Sequence, residues 1–359
     1  MKRSGFLIGL CLWALGGFAQ QRAITDGPYV FYRNGLMVVK SVVEVKGVYT
    51  ARADSFAAGK APKTLRVRLD GHPDWDFTVK LRDKIVNEPV YSPGADKVLA
   101  LSDIEGEFEP FRNLLLQAGV IDGQYNWIFG KGSLVVAGDL FDRGKQVAQY
   151  LWLLYKLEDE ARAKGGVVHV VLGNHEMMNL SGDVRYVDSV YFAGCSLMGE
   201  DYGSLYKANT ELGRWLRSKN TIEKDGDLLV LHGGVSPILL QRGLQLTDIN
   251  TLSRPYYAAR YRAIPDSLKD LFNEQALFWY RGYFLEPKAG QGQIDSTLEW
   301  YGVKKILVGH DIIDHVAAFY NNKLVGLDVN EHEGVHEALL IDKGKYYRID
   351  DKGNKALIF

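Results

Sequence analysis

Five short apolar runs in this 359-residue chain each stop at residues able to hold or move charge. Val98–Leu101 is followed by Asp103 and Glu105, Leu134–Ala137 by Asp139, Asp142 and Arg143, and Val167–Leu172 by Asn174 and His175. Leu228–Leu231 runs into His232, and Ile306–Val308 into Gly309-His310. Carboxylates, an amide oxygen and imidazoles together are a donor set for hard-to-borderline divalent cations. One acidic corner after a strand reads as a turn; five at separate strand ends read as a shared site. The glycines beside them allow tight corners and close backbone approach to a ligand.

The elements that must position these residues follow from periodicity. Apolar, Val-rich runs of this length read as strands buried on both faces. Between the second and third, Val147–Ala163 carries apolar residues at helical spacing and ends at Gly165-Gly166. Phe108–Ala118 reads as another helix. Strand–helix–strand units place chemistry beyond the carboxyl ends of their strands, so the fold class is α/β. Residues 26–97 read as a β-rich preface. Tyr29–Tyr32 and Leu36–Val43 flank the Asn34-Gly35 turn, and Val45–Tyr49, Leu65–Leu69 and Phe77–Leu81 follow. Ser92-Pro93-Gly94 reads as a linker. Pro255–Phe284 reads as largely helical, and Lys323–Val329, Glu337–Ile341 and Tyr346–Ile349 as strands. The expected organisation is a signal peptide over 1–19, a β-rich region over 20–95, the main domain over 96–345 and a β tail over 346–359.

The N-terminus has Lys2 and Arg3, an apolar Phe6–Leu15 and small residues at Gly17 and Ala19. That is the pattern of a secretory signal cut after Ala19, since the run falls short of the roughly 20 residues a spanning helix needs. A secreted or periplasmic location with no membrane attachment after cleavage is therefore expected. Of the two cysteines, Cys11 lies in that signal, which leaves Cys195 without an internal partner and excludes cysteine-ligated zinc. A formal net charge of −1 gives no support for nucleic-acid binding. The composition, 47% hydrophobic and 24% charged, is that of a globular protein with material for a core.

SDIEG, GDLFDRG, GNHE, LHGGVSP and VGHD, in this order and roughly this spacing, resemble the calcineurin-like metallophosphoesterase signature in its phosphoprotein phosphatase branch. GNHEMMNLSGDVRYV resembles the Shewanella-like phosphatase subgroup, and HGG in place of HAG argues against a dinucleotide tetraphosphatase. The resemblance covers about residues 97–330 and leaves the β preface unexplained. It implies a four-layer αββα sandwich holding two divalent metals about 3–4 Å apart. It further implies that Asp103 and Glu105 serve the first metal, that Asp139 bridges, and that Asn174, His232 and His310 complete the second. A metal-bridging hydroxide would attack phosphorus in line, His175 would protonate the leaving oxygen with Asp142 orienting it, and Arg143 and Arg281 would hold the phosphate. The activity so implied is a phosphomonoesterase, most directly one acting on phosphorylated Ser, Thr or Tyr.

Bland readings stand beside these roles. Arg143 could cap its own loop through Asp142, and Arg281 could be a surface cation. Glu176 reads as a loop support, His169 as a satisfied core histidine, and His72, His315, His332 and His336 as bland. Asp183 and Arg185 are pocket candidates only through the subgroup resemblance. One departure matters: the family usually has His where this chain has Glu105. Three oxygen donors at the first metal favour Mn²⁺, Mg²⁺ or Fe over Zn²⁺, and the added negative charge predicts an alkaline optimum. Two other functions remain open at this point. One is hydrolysis of small nucleotide or sugar phosphates at the same site, the other a non-catalytic envelope binding module. The sequence does not decide the oligomeric state.

Overall fold

The structure, a computed structural model, describes residues 23–57 and 59–359; the signal-peptide reading over 1–19 lies outside them. The N-terminal region forms an antiparallel meander of β1 (Asp26–Arg33), β2 (Leu36–Val45) and β3 (Val48–Ala57), then a hairpin of β4 (Thr64–Val67) and β5 (Phe77–Lys80). Val45–Tyr49 is not one strand: Lys46 and Gly47 take left-handed backbone and turn the chain between β2 and β3.

Two six-stranded sheets follow. The first contains β7 (Lys97–Leu101), β8 (Ser133–Val136) and β9 (Val167–Val170) in parallel, extended antiparallel from β7 by β15 (Glu337–Asp342), β16 (Lys345–Asp350) and β17 (Lys355–Leu357). The second runs β13 (Ala317–Phe319), β14 (Leu324–Gly326), β12 (Lys305–Val308), β11 (Leu228–Leu231), β10 (Ile222–Asp225), β6 (Tyr91–Ser92). Residues 346–359 thus supply strands of the first sheet, and Tyr91–Ser92, beside the expected linker, pairs with β10 as an edge strand.

Alternation along the strands explains the layering. Val98, Ala100, Val135, Ala137, Val230, Leu307 and Leu339 fill the space between the sheets. Leu99, Leu101, Leu134 and Val136 point the other way, under α1 (Phe108–Gln117) and α2 (Val147–Ala163). Leu229, Leu231, Ile306 and Val308 pack under α6 (Pro237–Gln241), α7 (Leu246–Ser253) and α8 (Gln291–Tyr301). The central strand residues meet a core on one face or the other, hence the uninterrupted apolar runs. The result is the four-layer αββα sandwich.

The N-terminal strands cover the outside of the first helical layer. They touch α2, α4 (Ser189–Met198) and α5 (Glu211–Arg217), and among the described residues none before Asp103 lines the main cleft. Trp152 of α2 donates from Nε1 to the Pro28 carbonyl at 2.8 Å, and the Tyr155 hydroxyl accepts from the Arg82 amide at 2.9 Å. Residues Val147–Tyr155 of α2 are buried without a break, and the preface supplies part of that cover. Each fully buried large side chain there is worth roughly 1.5–3 kcal/mol.

The segment Pro255–Phe284 departs from expectation. It holds only 3₁₀ turns at Arg254–Tyr256, Tyr261–Ala263 and Asp266–Leu271, followed by irregular turns. Pro265 removes a backbone donor inside the segment, and its apolar residues reach the core from turns rather than from one helical face.

Candidate metal centre

The ends of β7, β8, β9, β11 and β12 converge on a cleft of about 700 Å³ lined by Asp103, Glu105, Asp139, Asn174, His175 and His310. The corners are conformationally costly. Asp103, Glu105, Asp139, Asp142, Arg143 and His310 all have φ between 46° and 77°, in the left-handed region that L-residues avoid. Strain of that kind, roughly 1–3 kcal/mol per residue, persists only where the surroundings over-determine it, and it gathers at functional sites. Gly173 and Gly309 are required by close approach: a Cβ on the first would strike Asp139 Oδ1, and on the second Ser102 Oγ and Asp103 Oδ2.

Asp139 is the hub. Its Oδ2 lies 3.1 Å from His232 Nε2 and 3.7 Å from His175 Nε2, and its Oδ1 accepts from the His175 amide at 3.0 Å. His232 Nε2 is also 3.0 Å from Asn174 Oδ1, and its Nδ1 lies 2.8 Å from the Ala137 carbonyl. A bond from Nδ1–H to that carbonyl fixes the ring so that Nε2 faces the carboxylates, as ligating histidines are fixed. His310 Nε2 lies 3.2 Å from the Trp279 carbonyl, and its backbone N–H donates to Asp103 Oδ2 at 3.1 Å.

Ligand atoms of Asp139, His232 and His310 lie within 4.8 Å of one another, and so do those of Glu105, Asp139 and His175. The two groups share the Asp139 carboxylate and are of a kind that could hold divalent cations. Asn174 and Asp103 reach the same cluster, the first through its contact with His232 and the second through the His310 amide. The electrostatics agree. Burial, reinforced by the nearby Asp139 carboxylate, pushes Asp103 up to about 6. Burial and the Asp103 and Asp139 charges push Asp328 up to about 9. His232 is raised to about 10: burial opposes its charge, and Asp139 and Asp103 outweigh burial. The cluster demands positive charge, and a proton on His232 supplies part of it. Asp139 stays below the ordinary carboxylate range because, against its burial, His232 and His175 stand beside it. Burial and the His232 charge depress His310 to about 2, leaving a neutral ring suited to ligation.

Around this core sit the groups expected to handle substrate. His175 Nδ1 is 2.5 Å from Asp142 Oδ2, Asn179 donates to Asp142 Oδ1 at 2.9 Å, and the Tyr202 hydroxyl donates to Asn179 Oδ1 at 2.8 Å. Burial opposes the His175 charge, but Asp139 and the Asp142 bond overcome it and raise the imidazole. Arg143 does not cap its loop through Asp142. It contacts Glu105, its amide donates to the Tyr186 carbonyl at 3.1 Å, and nearly half of its side chain is exposed to the cleft. Arg281 donates to the His310 carbonyl at 2.8 Å and to Asp311 Oδ1 at 2.7 Å, with 43% of its side chain exposed. Glu176 supports the loop, accepting backbone N–H bonds from Asp139, Leu140, Phe141 and Gly173. Asp183 and Arg185 pair with each other at the surface, outside the cleft lining.

Sequence reasoning missed Asn179, Asp328 and His332. Asn179 stands four residues after His175 on α3 (Asn174–Ser181), a spacing that could have signalled it. Asp328 follows β14, a carboxylate at a sixth strand end hidden by the flanking Leu327 and Val329. His332, read as bland, lies 2.6 Å from Glu105. The other readings hold: His169 bonds Glu223, His315 pairs with Glu337, and His336 with Glu331.

Residues 96–314 match the calcineurin-like phosphoesterase family. The chain is 25% identical to Shewanella-like protein phosphatase 2 of Arabidopsis thaliana over 296 residues, 68% of this chain and 73% of that one. It is 27% identical to Shewanella-like protein phosphatase 1 of Plasmodium berghei over 278 residues, 73% and 74% of the two chains. Its fold matches the crystal structure of a cold-active protein-tyrosine phosphatase from a psychrophilic Shewanella species, with TM-score 0.83 and 36% identity. That match covers 93% of this chain and 99% of the other. The chain belongs to the calcineurin-like phosphoesterases, in their Shewanella-like phosphatase subgroup. It is a phosphatase, and the binding-module alternative is set aside.

Proposed function

We propose that the protein is a phosphomonoesterase of phosphorylated polypeptides, that it uses two divalent ions, Mn²⁺ or Fe first and Mg²⁺ or Zn²⁺ as alternatives, and that it acts outside the cytoplasm. The observation that carries the reading is the His175–Asp142 pair facing the Asp139-centred cluster, with two half-exposed arginines on the same cleft. Asp103, Glu105, Asp139, Asn174, His232 and His310 are the residues suited to hold the metals. When bound, these cations lower the pKa of water and neutralise phosphate oxygens.

The chain's own residues supply the rest. Asp142 holds His175 by Nδ1, so a proton on Nε2 faces the leaving oxygen. The Arg143 and Arg281 guanidiniums offer paired donors for the phosphate oxygens, a geometry lysine cannot give. Phe284, Leu285 and Ile312 form an apolar wall of the cleft that suits the ring of a phosphotyrosine. The likeness to a tyrosine phosphatase over that protein's whole length supports the same choice. The carboxylate-rich donor set supports Mn²⁺ or Fe. The basic, then apolar, then small-residue start over 1–19 supports export.

The test is hydrolysis of p-nitrophenyl phosphate with Mn²⁺ or with chelator, using wild type and H175A. Metal-dependent turnover should fall about 10²–10⁴-fold in H175A. Phosphotyrosine peptides should then exceed nucleoside monophosphates in kcat/KM. Faster hydrolysis of the nucleotides would install the small-phosphate reading instead.

A further inference from the structure

We propose that His332 is the positioning residue that makes Glu105 a metal ligand, so that the imidazole expected at position 105 is replaced by a carboxylate–imidazole pair assembled from two distant loops. The inference rests on the two-metal reading above and adds to it a residue that no sequence motif contains.

Glu105 lies on a left-handed corner with its side chain 3% exposed, in one ligand group with Asp139 and His175. Its two oxygens have different tasks. Oε2 is held by His332 Nε2 at 2.6 Å. Oε1 stands in the ligand group with Asp139 and His175, 3.7 Å from His175 Nε2, and is the oxygen that the Arg143 guanidinium contacts. A carboxylate pinned by one oxygen offers the other to a cation as a single donor, which is what an imidazole in its place would offer.

His332 is itself held. Its Nδ1 lies 3.4 Å from Glu107 Oε1, so one ring bridges two carboxylates of the Glu105 loop. It sits on the 3₁₀ turn Glu331–Glu333, whose Glu331 is bonded by His336, just ahead of β15, which pairs with β7. The strand that leads to Asp103, β7, is therefore also tied to the segment that bears His332. Without His332, Glu105 would be held from the Oε1 side alone, where Arg143 already contacts it.

The experiment is metal binding to chelator-stripped protein, by calorimetry and by metal content after dialysis against limiting Mn²⁺. Wild type should take up two Mn²⁺ per chain. H332A should keep one site and bind at the other about 10–100-fold more weakly, the usual cost of losing a residue that orients a ligand. H332Q, whose amide can still donate to Oε2, should recover most of the loss. E105H/H332A, with its imidazole at position 105, should bind two ions again. Thermal melting of the stripped variants shows that each is folded, and H332Q carries the comparison if H332A is not. Unchanged two-site affinity in H332A overturns the proposal. Uptake of a single Mn²⁺ by wild type overturns the role of Glu105 as ligand, while p-nitrophenyl phosphate turnover reports separately on the phosphatase reading.

Discussion

Two buried clusters of histidine and carboxylate lie in the first layers of this molecule, and they are built on opposite principles. In one, beside β9 and β10, Glu158 is met by Lys219 at 2.5 Å, Arg82 at 2.8 Å and the Trp215 Nε1–H at 3.0 Å. His169 stands 2.5 Å from Glu223 and 3.1 Å from Ser92 Oγ, and Asn220 donates to Glu223 at 2.8 Å. Burial would raise Glu158 and Asp225; Lys219 and Arg82 for the one, and His169 for the other, hold them below the ordinary range instead. In the strand-end cluster the carboxylates face one another, Asp103 and Asp328 are pushed up, and Asp311 Oδ2 and Glu331 Oε1 are buried without hydrogen bonds. Asp225 Oδ2 is the first cluster's one such atom in that set. Residue types do not separate the two clusters. What separates them is how fully the protein supplies the opposing charge: in the finished cluster Glu158 and Asp225 are held low, and in the other Asp103 and Asp328 are left raised.

The comparison can be broken from either side. The largest effect is expected from D139N, which should reduce turnover by roughly 10³-fold or more, several kcal/mol of transition-state stabilisation, and abolish two-metal binding. Melting of the stripped protein should change little, as calorimetry would show; a collapse in stability there would mean that the cluster is structural. K219M should do the reverse. It leaves Glu158 buried without one of its cations, a loss of about 3–5 kcal/mol in denaturant unfolding, with kcat unchanged.

The smallest effect concerns pH. His169 is raised to about 10, burial being outweighed by its bonds to Asp225 and Glu223. A group with a raised folded-state value contributes fully below its unfolded value, roughly 6.5, and loses that contribution as pH climbs toward 10. Wild type should therefore lose stability on the order of a few kcal/mol over that interval relative to H169Q. Parallel curves for the two proteins would remove His169 from the finished cluster.

Much of the strand-end site was legible because apolar runs and glycine punctuation are local signals. Val147–Ala163 was read with its observed limits, since Gly165 at φ 77° marks the stop in the sequence itself. What escaped depends on partners far along the chain. His332 gains its meaning from Glu105, 227 residues away, and Tyr202 from Asn179. Lys46-Gly47 was lost inside Val45–Tyr49 because the valines on either side continue the alternation of a strand. The aromatic segment 255–284 misled for a related reason: density of rings says buried, and says nothing of period.

The pairing of β15 with β7 has a consequence in time. The strand leading to Asp103 is among the first of the sandwich to be synthesised, yet its antiparallel neighbour is formed by residues 337–342. Until that neighbour arrives, one edge of β7 stays open, and the turn bearing His332 has nothing to anchor it. A nascent chain can hold most of the motifs and still be unable to assemble the centre.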